Sequence, residues 1–152
     1  MSGRLESINA SRGGVPKRSM FEALITEAGL DGDRQRDLRF HGGPDRAIVL
    51  FSLDVIRALQ QEGHDISPGS TGENLTVSGL DWAAIIPGRE LAIGEVRLRI
   101  TKYTSPCEKI GFAFTACDYT RISQKLHPGW SRLSARVLRG GLVAIGDAVE
   151  VS

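Results

Sequence analysis

The chain has 152 residues, of which 41% are hydrophobic and 24% are charged, and its 19 basic residues nearly balance 18 acidic ones. This size and composition are typical of one globular domain, so we expect a single domain over residues 1–152. A net charge of +1 argues against general nucleic-acid binding, which normally requires a clear basic excess. No apolar run reaches 18 residues and no apolar signal segment follows the start, so we expect neither membrane insertion nor export.

The two cysteines, Cys107 and Cys117, are too few to form a disulfide framework in a chain of this length. Their spacing also fits no C-x-x-C metal or redox motif. We therefore expect both thiols to be free and the protein to reside in a reducing cytoplasm.

The first half of the chain reads as short strands joined by glycine-rich turns. Residues 5–11 are predicted to form a strand that enters a turn at residues 13–14, and residues 20–28 are predicted to form another. Residues 29–44 are polar and contain several glycines, so they read as a long loop. Residues 47–51 are a continuous apolar run, short enough for a buried strand.

A helix is predicted directly after this apolar run. Ser52 is a suitable N-cap residue, and the pattern that follows places Leu53, Ile56 and Leu59 on one face. Gly63 is the predicted end of this helix, and residues 74–77 are predicted to form the next strand.

The clearest strand of the chain follows the Pro87–Gly88 turn and the apolar residues Leu91 and Ile93. In it, apolar residues alternate with polar ones in a period of two, which predicts one buried and one wet face. The apolar set is Val96, Leu98 and Ile100, and the polar set is Arg97, Arg99 and Thr101.

The last third is predicted to contain a helix and a closing pair of strands. Residues 112–126 read as helical, while residues 135–138 and 148–151 read as two strands that pair with each other. Many short strands with few helices predict a mainly β fold with helical decoration, of the α+β class, arranged as a β-barrel.

Cys107 is the main candidate for chemistry because it follows the clearest strand directly. Pro106 stiffens its approach, and Lys102 and Lys109 could stabilise a thiolate, the reactive form of cysteine. The alternative is a buried structural thiol, which is common for free cysteine. For Cys117 we favour that alternative, a small residue of the core.

Three further segments combine glycines with groups that suit a phosphate or a heterocycle. The segment around Lys17 and the loop containing His41 and Arg46 offer basic side chains beside flexible backbone. Glu73 and Asn74 offer an acceptor and a mixed donor–acceptor pair. The alternative for each is a solvated turn or a surface loop whose charges pair among themselves.

Three arginines, Arg132, Arg136 and Arg139, precede the last hairpin. The alternation around Val137 suggests that Arg136 points inward. The alternative is an outward-facing charge, which is the usual position of a strand arginine.

Taken together, these segments resemble the MOSC domain family, named after the C-terminal domain of molybdenum-cofactor sulfurase, and most of all its short stand-alone bacterial members. The resemblance covers nearly the whole chain and depends on the order of the motifs. The matching segments are residues 14–17, 29–33, 41–47, 72–75, 87–88, Leu91, 93–94, 106–107 and 146–147.

The resemblance implies a β-rich barrel that binds molybdenum cofactor, a molybdopterin with a phosphate, or that carries activated sulfur on a cysteine. It makes Cys107 the molybdenum ligand or the persulfide carrier. The other implied cofactor contacts are Arg12 and Lys17 at the phosphate, and His41, Arg46, Glu73 and Asn74 around the pterin.

The first functional hypothesis is therefore a molybdenum-dependent reductase of small N-hydroxylated compounds. The chain lacks the long N-terminal extension and the iron–sulfur tail of larger reductases, so electrons are expected from a separate donor protein. The second hypothesis is a sulfur carrier, with a persulfide on Cys107 loaded by a separate cysteine desulfurase, the only partner that would bring pyridoxal phosphate. The third is a plain binding module with an inert cysteine. None of the three requires nucleic acid or a membrane.

Overall fold

The structure is a computed structural model that describes residues 1–11, 15–33 and 43–152. Within these ranges the chain forms one α-helix, α1 (Leu53–Gln61), and eleven strands. The strands are β1 (Ser2–Ala10), β2 (Arg18–Met20), β3 (Glu22–Thr26), β4 (Gly29–Leu30), β5 (Ile48–Ser52), β6 (Leu75–Ser78), β7 (Glu90–Ile93), β8 (Val96–Thr104), β9 (Arg132–Arg139), β10 (Gly141–Ala144) and β11 (Ala148–Val151).

Seven of these strands close into a barrel. Their order is β11-β7-β8-β9-β5-β6-β1, and β1 pairs again with β11 through Ser2–Glu150, which joins the two ends of the sheet. The pairs are antiparallel except for β5 and β6, which run parallel. The predicted β-rich barrel with little helix is confirmed.

The parallel pairing of β5 and β6 explains the position of helix α1. Two parallel neighbours cannot be joined by a tight turn, so the chain needs a crossover between β5 and β6. Helix α1 begins this crossover, with the Ser52 hydroxyl accepting a hydrogen bond from the Val55 amide at 3.2 Å. Ile56 and Leu59 are fully buried on the face that packs on the sheet. The predicted helix, its cap and its apolar face are therefore confirmed.

Strand β8 also follows its sequence pattern. Val96, Leu98 and Ile100 are buried, whereas Arg97 and Arg99 are exposed. Beyond Ile100 the alternation ends, and every residue from 101 to 104 is half-buried. The strand therefore leaves the apolar core as it approaches Cys107.

The predicted helix over residues 112–126 is wrong. The chain there forms three short 3-10 turns, over Glu108–Ala113, Thr115–Cys117 and Tyr119–Ile122. Ala116 and Cys117 both have a positive φ of 56°, a conformation that a right-handed helix cannot contain.

The predicted pairing of the last two strands is also wrong. Strand β9 pairs with β8 and β5, while β11 pairs with β7 and β1. The segment between them forms β10, which the sequence did not predict and which pairs with β3 in a separate three-stranded sheet with β4. The strand predicted at residues 20–28 is divided, because β2 and β3 belong to different sheets on either side of Phe21.

Candidate functional site

Cys107 lies where the chain leaves the barrel after β8. Ser105 and Pro106 connect the end of the strand to Cys107, which is half-buried. Its backbone is extended, and its carbonyl accepts a hydrogen bond from the Ile110 amide at 3.2 Å, which opens the first 3-10 turn. The thiol is thus placed between a strand end and a turn, partly open to solvent.

The cation that shares this region is Arg132, at the start of β9. Only 6% of its surface is exposed, and its Nη1 and Nη2 atoms donate to the carbonyls of Thr71 (2.6 Å) and Ser105 (3.1 Å). Burial lowers the pKa of Arg132 to about 10, while the nearby charges of Glu73 and Cys107 act in the opposite direction. Arg132 therefore stays protonated at neutral pH. Sequence reasoning named Lys102 and Lys109 as the cations near the thiol and left the arginines unassigned.

Glu73 is fully buried and close enough to this arginine for its charge to affect it. Its two carboxylate oxygens accept hydrogen bonds from the hydroxyls of Thr71 and Thr76, both at 3.1 Å. Complete burial raises the pKa of Glu73, and these hydrogen bonds partly oppose that effect. The contact of Glu73 with a cofactor stays a prediction, and in this structure both of its oxygens are engaged within the chain.

A second buried charge cluster centres on Asp33. One of its oxygens accepts from the Ser11 amide at 2.9 Å, and the other from Lys17 Nζ at 2.5 Å and from Asn74 Nδ2 at 2.8 Å. The side chains of Lys17 and Asp33 are each 5% exposed. The amide oxygen of Asn74 accepts from the Val49 amide at 2.9 Å, so Asn74 ties Asp33 to β5. Sequence reasoning included Asp33 in the family motif at residues 29–33 but gave it no role of its own.

The loop from residue 69 to residue 74 brings these two clusters together. On one side, the Gly69 carbonyl accepts from the Lys17 amide at 3.0 Å, and Asn74 reaches Asp33. On the other side, the Thr71 carbonyl accepts from Arg132. Lys17, Glu73, Asn74 and the segment carrying Cys107 are therefore neighbours in space, although they are far apart in sequence.

A cavity of about 380 Å³ opens beside the Asp33 cluster. It is lined by Ala10, Ser11, Pro16, Arg18, Met20 and Gly32. Arg18 is exposed and is the charged member of this set. The cavity is large enough for part of a small molecule, with both apolar and cationic contacts.

Two of the predicted cofactor contacts, Arg12 and His41, lie outside the described residues. A third, Arg46, is half-buried in a 3-10 turn over Pro44–Arg46, close in sequence to β5. The interpretation of Arg136 as inward-pointing is wrong, because its side chain is 48% exposed and pairs with the exposed Asp45 at 2.9 Å. The interpretation of Cys117 as a core residue is also wrong, because Cys117 is exposed.

A model of the MOSC domain family matches residues 37–150, a stretch that includes Glu73, Asn74, Cys107 and Arg132. The chain belongs to the MOSC domain family. This family is associated with the binding of molybdenum cofactor. The family resemblance noted from the sequence motifs is therefore confirmed.

Two bacterial relatives have similar sequences. Escherichia coli YiiM is 31% identical over 114 residues, which cover 72% of this chain and 51% of YiiM. Bacillus subtilis YflK is 28% identical over 140 residues, which cover 91% of this chain and 62% of YflK. This MOSC chain thus spans about half to three fifths of the length of these relatives.

Solved structures show the same fold. The crystal structure of Escherichia coli YiiM superimposes with a TM-score of 0.75 at 23% identity, over 100% of this chain and 70% of that one. The Bacillus subtilis YUAD protein superimposes with a TM-score of 0.75 at 19% identity, over 99% of this chain and 96% of that one. Among the described residues of this MOSC chain, no helix has the length and apolar character needed to cross a bilayer.

Proposed function

We propose that this MOSC domain binds molybdenum cofactor and reduces small N-hydroxylated compounds, with Cys107 as the protein ligand of the metal. The observation that carries the proposal is the position of Cys107. Its thiol is half-buried at a strand end, next to the buried cation Arg132, where the loop at residues 69–74 meets the segments of the family motifs. A cysteine thiolate is a strong, soft metal ligand, and a nearby cation favours the thiolate form.

The donor set of the chain fits the cofactor. A molybdopterin brings a soft metal centre, a polar heterocycle and a phosphate, so it needs a thiolate, hydrogen-bonding groups and basic groups. Cys107 would take the metal, and Arg12, Lys17, His41, Arg46, Glu73 and Asn74 are the predicted contacts to the rest. Among the described members, Arg46 has the most exposed side chain, while the polar atoms of Lys17, Glu73 and Asn74 already have partners.

Bound cofactor would supply a redox-active metal at which an N–O bond can be reduced. The overall change consumes two electrons and two protons, and it converts an N-hydroxyl group into an N–H group and water. The electrons would come from a separate donor protein. The task of the chain itself is to hold the thiolate in place, to bind the anionic end of the cofactor and to limit access of water.

The test is elemental analysis for molybdenum in protein made in a cofactor-competent cell. Wild type is compared with Cys107→Ala and with Cys117→Ala, which removes an exposed thiol as the matched control. We expect molybdenum in wild type and in Cys117→Ala, a loss in Cys107→Ala, and reduction of an N-hydroxylated compound only by the metal-bearing proteins when a chemical reductant is supplied.

Two outcomes would contradict the proposal in different ways. Metal in all three proteins would mean that the cofactor binds without Cys107. Metal in none would favour the sulfur-carrier hypothesis, in which Cys107 gains a persulfide from a cysteine desulfurase and its substrate. Intact-mass analysis would detect that added sulfur atom.

A further inference from the structure

Arg132 lies where the chain leaves the sheet on its way to Cys107. The pair Thr104–Arg132 is the last step of the ladder between β8 and β9. Beyond it, residues 105–107 are no longer strand, so ladder hydrogen bonds do not hold them. Instead, Nη2 of Arg132 donates to the Ser105 carbonyl at 3.1 Å, two residues before Cys107.

The same guanidinium holds a second segment. Nη1 donates to the Thr71 carbonyl at 2.6 Å, and the hydroxyl of Thr71 donates to Glu73 at 3.1 Å. Two rigid, divergent N–H groups of one planar side chain thus join the loop at residues 69–74 to the segment that carries Cys107. A guanidinium presents its donors in a fixed fork, so the two carbonyls are held at a defined separation.

The burial of this guanidinium carries an electrostatic cost, which the nearby Glu73 partly offsets. A cation that is 94% buried loses most of its hydration, and within the described parts of the chain Arg132 donates to uncharged carbonyls. Its third nitrogen, Nε, is also buried and has no partner among the described residues. Unsatisfied buried donors are uncommon in folded proteins, and each one calls for a physical explanation.

We propose that Arg132 is the positioning residue of Cys107, and that its fork fixes residues 105–107 against the loop at residues 69–74. The proposal rests on the proposed function only in taking Cys107 as the reactive residue. It does not require the metal, because the hydrogen bonds belong to the polypeptide itself.

The experiment distinguishes the effect of the two guanidinium hydrogen bonds from the effect of the positive charge. Arg132→Lys keeps a positive charge but loses the planar pair of donors, and Arg136→Lys makes the same exchange at an exposed position four residues along β9. Both variants and wild type are prepared without cofactor. Hydrogen exchange is measured over residues 105–110 and, as an internal reference, over residues 48–52 of β5.

We expect exchange over residues 105–110 to accelerate about tenfold or more in Arg132→Lys, because local opening governs exchange in segments with few other bonds. Exchange over residues 48–52 should not change, and Arg136→Lys should match wild type in both segments. The rate of alkylation of Cys107 by iodoacetamide, relative to that of Cys117 in the same molecules at one pH, should change in Arg132→Lys alone. Loss of global stability would instead accelerate exchange in both segments.

Wild-type exchange over residues 105–110 and an unchanged alkylation ratio in Arg132→Lys would overturn the proposal, as would equal acceleration in both segments. If the lysine variant does not fold, Arg132→Met still tests whether the two hydrogen bonds hold the segment, although it removes the charge as well, because an apolar side chain of similar length can replace a buried ion without loss of the fold. All of these measurements use metal-free protein. A failure to find molybdenum would therefore contradict the proposed function and leave this inference standing.

Discussion

Lys17 and Arg132 are two buried cations at opposite sides of the same loop, and they are satisfied in different ways. Lys17 Nζ contacts a carboxylate oxygen of Asp33 at 2.5 Å, with both side chains 5% exposed. Arg132 contacts two backbone carbonyls, and the groups that favour its charge, Glu73 and Cys107, act at longer range. The first arrangement is a closed ion pair. The second leaves the positive charge without a carboxylate in direct contact and the Nε donor without a partner among the described residues.

The difference indicates which cation is available to the chemistry of the site. A closed pair has no net charge to offer a ligand, so in this structure Lys17 serves to neutralise Asp33, which also binds Ser11 and Asn74. An arginine bound to neutral carbonyls keeps its charge for neighbouring acidic groups, and here these are Glu73 and Cys107. The predictions below test this contrast, from the largest expected effect to the smallest.

Asp33→Ala should be the most damaging change, because it leaves Lys17 buried without its counter-ion. Removing one partner of a buried pair costs about 3–5 kcal/mol in the free energy of unfolding. Urea denaturation measures this loss. Asp31→Ala is the control, because Asp31 is exposed and two residues away, and it should have little effect. A loss below about 1 kcal/mol for Asp33→Ala, the range of exposed pairs, would show that the pair is not closed.

Gly69→Ala should also destabilise the Lys17 side of the loop. Gly69 has a φ of +88°, and an added Cβ would lie 2.4 Å from the Lys17 carbonyl oxygen. Gly88→Ala is the matched control, with a φ of +97° and open space around the added atom. We expect about 1–2 kcal/mol for Gly88→Ala from the backbone conformation, and about 1–3 kcal/mol more for Gly69→Ala from the clash. If both variants lose the same free energy of unfolding in urea, the loop at residue 69 can shift away from Lys17 and relieve the clash at no cost.

Glu73→Gln should change how stability depends on pH on the Arg132 side. Burial raises the pKa of Glu73 in the folded protein above its ordinary value of 4.5, so the folded state binds this proton more tightly than the unfolded chain. The resulting stability is present below the unfolded pKa and is lost as pH rises through the folded pKa.

The melting temperature of wild type should therefore fall relative to that of Glu73→Gln as the pH rises above the ordinary Glu73 pKa of 4.5. The exposed Glu27→Gln variant, in the turn after β3, should track wild type throughout. If the melting temperature of wild type instead rises relative to that of Glu73→Gln as the pH rises, the hydrogen bonds to Glu73 outweigh its burial.

Arg136→Gln should have the smallest effect. Its ion pair with Asp45 has side chains that are 48% and 59% exposed, and such pairs contribute about 0–1 kcal/mol. We expect unfolding by urea and the molybdenum content to match those of wild type. A loss as large as that of Asp33→Ala would remove the distinction between buried and exposed pairs.

The sequence predicted those elements whose pattern is local. Alternation identifies β8, and a cap residue followed by apolar residues at helical spacing identifies α1. The turns at residues 108–122 were missed because their geometry depends on the positive φ of Ala116 and Cys117, which ordinary residues do not signal in advance.

The site was only partly predictable for a related reason. Cys107 follows from its place after β8, but the choice between Arg132 and Arg136 does not follow from alternation, because both lie on the same face of β9. Arg132 is buried only because the loop at residues 69–74 and the Ser105 segment cover it. Asp33 likewise gains its role from contacts with Ser11, which is 22 positions away, and with Asn74, which is 41 positions away.

The seam of the barrel has a kinetic consequence. The Ser2 hydroxyl donates to Glu150, 148 positions along the chain, and β1 also pairs with β6. The first strand therefore cannot complete its sheet until the last strand has emerged and a loop of nearly the whole chain has closed. Such long-range closure slows folding, and it leaves the edge of β1 open to mispairing during synthesis. In a cell that produces this protein, correct folding would require that β11 follows β1 quickly or that the unpaired edge of β1 is protected until β11 has emerged.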